Sequence, residues 1–186
     1  MFFQRKKVSL STFIKMSADE VLKVPLYTYE DYLAIDPDSG LYQTEFEEFI
    51  RNFHLLRLLL LYAMLVDRKV RGQIKVSMED LAKTFIETLK LSYQDNEIDS
   101  DEAQRLSEVF SLELDHLTSF IENIPEKDLS KKGFTPYTCL YVTAKLAESS
   151  ERSVKNGVYI ALINTQRMIM KEYFENAIEK IKIVMK

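Results

Sequence analysis

A chain of 186 residues with 46% apolar and 29% charged side chains is long enough to bury one sizeable core and too apolar to stay disordered. Four glycines and four prolines are too few for the turns of a β-sandwich or a Rossmann-type sheet, whereas the helix formers Leu, Glu, Lys and Ala abound. The net charge of −4 argues against a nucleic-acid footprint over the whole molecule; the single cysteine, Cys139, rules out an intrachain disulfide and fits a reducing, cytoplasmic location.

Residues 1–16 read as a basic and aromatic N-terminal arm, in which Arg5, Lys6, Lys7 and Lys15 mix with Phe2, Phe3 and Phe13. Such an arm either attaches to a membrane surface or a nucleic acid, or packs its phenylalanines on the body and leaves its lysines in water. The second is expected, because basic clusters at chain ends are common. The order of the first residues, apolar before charged with no long apolar run after them, does not match a secretory signal.

The helical domain is expected to span 17–186. Ser17-Ala18-Asp19-Glu20 has the form of a capping box and predicts a short helix ending near Pro25. Tyr27, Tyr29, Tyr32 and Tyr42 surround the turn Asp36-Pro37-Asp38-Ser39-Gly40; they are expected to seal the open end of a bundle, the alternative being a groove. Thr44-Glu45-Phe46-Glu47 is a second capping box, and its helix should run to about Lys69. The first half carries one stripe, Phe46, Phe49, Ile50 and Phe53; from Leu55 to Val66 it is apolar all round. A helix greasy on every side must be covered on every side, so this one is predicted to be central. The apolar run is about a dozen residues, too short for a bilayer that needs about 20.

After the break at Arg71-Gly72-Gln73, Ser77 with Asp80 caps a helix reaching about Tyr93. Its start, Met78-Glu79-Asp80-Leu81-Ala82, is similar to the opening of a helix-turn-helix, but no tight turn and basic recognition helix follow. The acids of Asp95 to Glu102 resemble the start of an EF-hand loop, yet Ser100 stands where glycine belongs and Leu106 where glutamate belongs. They are expected instead to face the N-terminus of the next helix, which ends at Ile124 before Pro125. Lys131-Lys132-Gly133 is a linker, Thr135-Pro136 reads as N-cap and first position of another helix, and a break is expected between 149 and 157. A long C-terminal helix, 158–185, carries a heptad with Ile163, Met170, Ala177 and Val184 at one position and Ile160, Arg167, Phe174 and Ile181 at the other. It predicts either a helix lying on its own bundle or a homodimer seam of Ile160, Ile163, Met170, Phe174, Ile181 and Val184.

Chemistry-bearing residues are few. The two histidines, His54 and His116, each lie three residues from a charged side chain set in an apolar stripe: Arg57 and Glu113. Buried opposite charges on neighbouring helices are costly apart, so an Arg57–Glu113 pair with the histidines at its edge is expected. Glu113-x-x-His116 has a spacing used by bundle metal sites, and a weaker metal reading adds His54; but Arg51 occupies the position three before His54 and there is no third histidine. No nucleophile, phosphate loop or oxyanion-forming glycine cluster accompanies these residues.

The expectation is therefore an all-α, single-domain bundle of about five to seven helices around the 44–69 helix. Its expected role is that of a non-enzymatic cytoplasmic interaction module without a cofactor, binding another protein or itself. The acidic 79–126 region and the tyrosine-rich 27–42 segment are the candidate surfaces. A bundle that binds a metal or small ligand at His54, Arg57, Glu113 and His116 is the alternative, and attachment through the basic arm a second.

Overall fold

The structure, a computed structural model, describes residues 6–23, 28–35, 37, 42–149, 164–165, 168–174, 176 and 181–184. In chain order these form β1 (Lys6–Ser9), α1 (Leu10–Lys23), α2 (Tyr29–Ile35), α3 (Gln43–Val70), α4 (Met78–Asp95), α5 (Ser100–Glu122), α6 (Glu126–Lys132), α7 (Thr135–Ser149), a helical stretch at 168–174 and β2 (Ile181–Val184). The fold is all-α, with a single two-stranded parallel sheet joining β1 to β2 among the described residues.

The greasy half of α3 is central, as its composition demands. Every residue from Arg57 to Val66 is buried, with α1, α2, α5 and α7 packed around the helix. Full burial of a Leu or Val side chain contributes roughly 1.5–3 kcal/mol of transfer free energy, so this run is a large source of cohesion. Phe85 of α4 stacks on Phe110 of α5 at 5.1 Å, and the edge of Tyr62 meets Phe85 at 5.5 Å, tying α3, α4 and α5 together. Tyr32 is fully buried against Phe46 at 5.3 Å and Tyr29 packs beside both, so these two pack as a seal would, whereas Tyr42 is 63% exposed. Tyr27 lies outside the described residues.

Caps explain several helix starts. Ser77 Oγ accepts from Asp80 N at 2.9 Å, and Asp99 Oδ1 accepts from Asp101 N and Glu102 N at 3.0 Å each. The acidic loop thus caps α5, where a carboxylate meets the positive end of the helix. At α3 the N-cap is Tyr42, whose N–H donates to Glu45 Oε2 at 2.9 Å; Thr44 lies inside the first turn.

Both ends of the chain depart from expectation. There is no arm over 6–16: these residues form β1 and the first half of α1. Leu10, Phe13, Ile14, Ser17, Ala18 and Val21 make one continuous buried stripe, and it extends upstream of the apparent capping box. Ser17 is therefore a mid-helix residue, 2% exposed, and the cap is Ser9, whose Oγ accepts from Thr12 N at 3.1 Å. Lys15 is not displayed to a partner either, since it pairs with Asp19 at 3.0 Å and Asp95 at 2.8 Å.

At the other end the heptad does not continue as a helix. Ile181 and Val184 lie in β2, which pairs with β1 in the register Lys6↔Ile181 to Ser9↔Val184. The β-branched Ile181, Ile183 and Val184 favour a strand once β1 offers an edge. Met170 and Phe174, 7% and 2% exposed, are buried in the chain's own core, Phe174 against Phe13 at 5.4 Å. A stripe that lies on its own bundle repeats almost as a coiled-coil seam does, and Met170 and Phe174 lie in such a stripe. Ile160 and Ile163 lie outside the described residues. Among the described residues no helix is long and apolar enough to cross a membrane.

Candidate functional site

The expected polar island divides in two. Tyr141 Oη of α7 donates to Glu113 Oε1, while Lys145 Nζ lies 3.7 Å from that oxygen and His116 Nδ1 3.6 Å from Oε2. Glu113 is thus engaged by α7 rather than by Arg57 of α3, and the ion pair expected between them does not form. The half-exposed His116 sits at the rim of this cluster. On α3, Arg57 is 2% exposed and His54 is half-buried, with its Nδ1 shielded and without a hydrogen-bond partner among the described residues. Burial pushes the His54 imidazole below its ordinary pKa, and the Arg57 charge lowers it further. Burial also lowers Arg57. Among the described residues, no three His, Cys, Asp or Glu side chains gather where they could hold a metal. Tyr141 and Lys145, the real partners of Glu113, read in the sequence as ordinary members of an amphipathic helix.

The most committed polar residue was not legible as such. Asp67 lies at the end of the greasy run of α3, and its carboxylate caps the N-terminus of α7. Oδ1 accepts from Phe134 N at 2.6 Å, and Oδ2 accepts from Thr135 N at 3.2 Å and from Thr135 Oγ1 at 2.6 Å. A carboxylate on orphan helix N–H groups combines charge-assisted hydrogen bonds with the helix dipole. Gly133 makes the approach possible. Its φ is +82°, and a Cβ there would meet Asp67 Oδ1 at 2.7 Å. An acid following an apolar run, and a glycine two residues before Thr-Pro, are the sequence traces of this contact.

The Asp67 clamp fixes α7 against α3, and beside it, between α3, α5, α6 and α7, lies an apolar cavity of about 300 Å³. Tyr62, Ala63 and Val66 of α3, Leu114, Leu117 and Ile121 of α5, Leu129 of α6, Phe134 just before α7, and Thr138 of α7 line it. Glu122, Glu126 and the partly exposed Met78 stand at its edge. Burial pushes the Tyr62 phenol up to about 12, so near neutral pH it carries no charge into this cavity. The chemistry on offer is that of an apolar anchor site with an acidic border; none of the four residues of the expected island lines it.

Comparison with protein-family models, with curated proteins and with solved structures finds no match to this chain. The class defined by the fold is an all-α helical bundle.

Proposed function

We propose that this protein is a non-enzymatic, cytoplasmic interaction module whose acidic face takes up an apolar side chain from a basic partner segment. The apolar cavity bordered by Glu122 and Glu126 carries this reading. Its volume, about 300 Å³, is at the lower end for ligand pockets and suits one or two anchoring side chains of the kind that dominate protein interfaces. The surrounding segment 79–126 holds 13 acidic and 3 basic residues, which favours a cationic partner and speeds its encounter. The tyrosine-rich segment is not part of the proposal, because Tyr29 and Tyr32 are engaged in sealing the bundle. A homodimer through the C-terminal seam is not part of it either, since Met170 and Phe174 are buried in the chain's own core.

Selection of a displayed random-peptide library on the full chain tests the reading. Enriched peptides should carry a large apolar residue flanked by Lys or Arg, and their binding should shift the NMR methyl signals of Leu117, Ile121 and Leu129. Reversing Glu122 and Glu126 to Lys should weaken binding by about tenfold. Peptides that bind equally well after the reversal, or that shift signals elsewhere, would overturn it.

A further inference from the structure

A second cavity, of about 410 Å³, opens on the opposite face of α3. Met64, Asp67, Arg68 and Arg71 line it, at spacings that keep them on one side of a helix turning about 100° per residue. Lys132 comes from the last turn of α6, Thr135 and Pro136 from the first turn of α7, and Lys171 from the helical residues 168–174. Four cationic side chains from three parts of the fold thus border one hollow in a chain whose net charge is −4. The one acid among them, Asp67, has both oxygens engaged by the N-terminus of α7. Arg68 is engaged already: its Nη1 donates to Gln73 Oε1 at 2.8 Å, and its guanidinium lies 6.0 Å from the Phe174 ring centroid. Lys132 Nζ is 5.8 Å from the Tyr137 ring, and neither Arg71 nor Lys132 has an acidic partner among the described residues.

Arg71 and Lys132 bring two cationic side chains without an acidic partner among the described residues to one concave site, and the concavity focuses their field. A single carboxylate offers two oxygens to this set. A phosphate monoester offers three terminal oxygens and nearly two charges, and it matches the fork of a guanidinium. The same hollow has apolar walls in Met64, Pro136, Met168 and Phe174. We propose that this cavity binds a small organic phosphate monoester, with Arg71 and Lys132 on the phosphate and the wall of Met168 and Pro136 on its apolar body. The site is separate from the apolar cavity and does not depend on the partner proposed for it.

Phenyl phosphate is a suitable probe, titrated into the full chain at low salt and followed by NMR. Saturable shifts are expected at the Thr135 amide and the Met168 methyl, at concentrations about tenfold below those needed with inorganic phosphate, and phenol should give none. The joint variant Arg71→Ala/Lys132→Ala removes two exposed side chains, so it should fold normally yet bind at least about tenfold more weakly. Lys75→Ala, exposed and outside the cavity, should bind as the parent does. The proposal is overturned if no shift saturates, if inorganic phosphate binds as tightly as the ester, or if Lys75→Ala weakens binding as much as the joint variant. Tighter binding of a phosphotyrosine peptide than of phenyl phosphate would overturn the small-molecule assignment in favour of a phosphopeptide site.

Discussion

The two faces of α3 between Tyr62 and Arg71 border hollows of opposite character. Tyr62, Ala63 and Val66 look into a hollow walled by Leu, Ile and Phe with acids at its edge; Met64, Asp67, Arg68 and Arg71, interleaved with them, look into one bordered by four cations. Ten consecutive residues serve both because the helical period sends neighbours to opposite sides. Packing of α7 on α3 separates the hollows, with Phe134 and Thr138 on one side and Thr135 and Pro136 on the other. The same contact is clamped by Asp67.

The largest expected effect therefore comes from the residue that clamps the wall between them. Asp67→Ala leaves three donors at the start of α7 without their carboxylate, and should lower stability by about 2–3 kcal/mol in urea unfolding. An unchanged midpoint would mean that the clamp does not hold the wall between the hollows. Gly133→Ala comes next, at about 2 kcal/mol, from a left-handed backbone and the contact with Asp67. In the Asp67→Ala background that cost should shrink by about 1 kcal/mol, because the crowding atoms belong to the deleted carboxylate; strict additivity would assign the whole cost to the backbone.

A subtler contrast lies along α3 itself, between Asp67, held by partners, and His54, whose Nδ1 is shielded from water. The folded state depresses the His54 pKa, so the unfolded chain binds the proton more readily. The contribution of His54 to stability is then complete above its ordinary value near 6.5 and is lost as pH falls through that value toward the folded one. Melting temperature should drop on acidification from pH 7.5 to 5.5, and His54→Gln should flatten that dependence. An equally steep profile in the variant would assign it to other groups. The smallest stability effect should come from Arg71→Ala, an exposed side chain at the cationic hollow, whose melting curve should stay within about 0.5 kcal/mol of the parent. A larger loss would give Arg71 a structural role.

Much of the fold was legible because it depends on patterns within one segment. The apolar circumference of Leu55–Val66 marked α3 as the centre, and Ser77 and the acids around Asp99 marked the starts of α4 and α5. The errors lie where two segments compete for one pattern. Ser17-Ala18-Asp19-Glu20 has cap chemistry, but Leu10, Phe13 and Ile14 continue its apolar stripe upstream and carry the helix through it. Ile181 and Val184 fit a heptad, yet a tetrapeptide with three β-branched residues beside Lys6–Ser9 pairs as a strand.

What the sequence determined alone was therefore local: the helical class, the buried core helix, and the capped starts at Ser77 and around Asp99. Which polar groups meet was decided by tertiary structure. Glu113 found Tyr141 rather than Arg57, and Asp67 found the start of α7, 67 residues further on. Helical period specifies the direction in which a side chain points, but the identity of what stands opposite depends on how the helices dock. Docking is set by apolar surface, which is non-directional. The polar partnerships, and the two hollows beside them, follow from that docking.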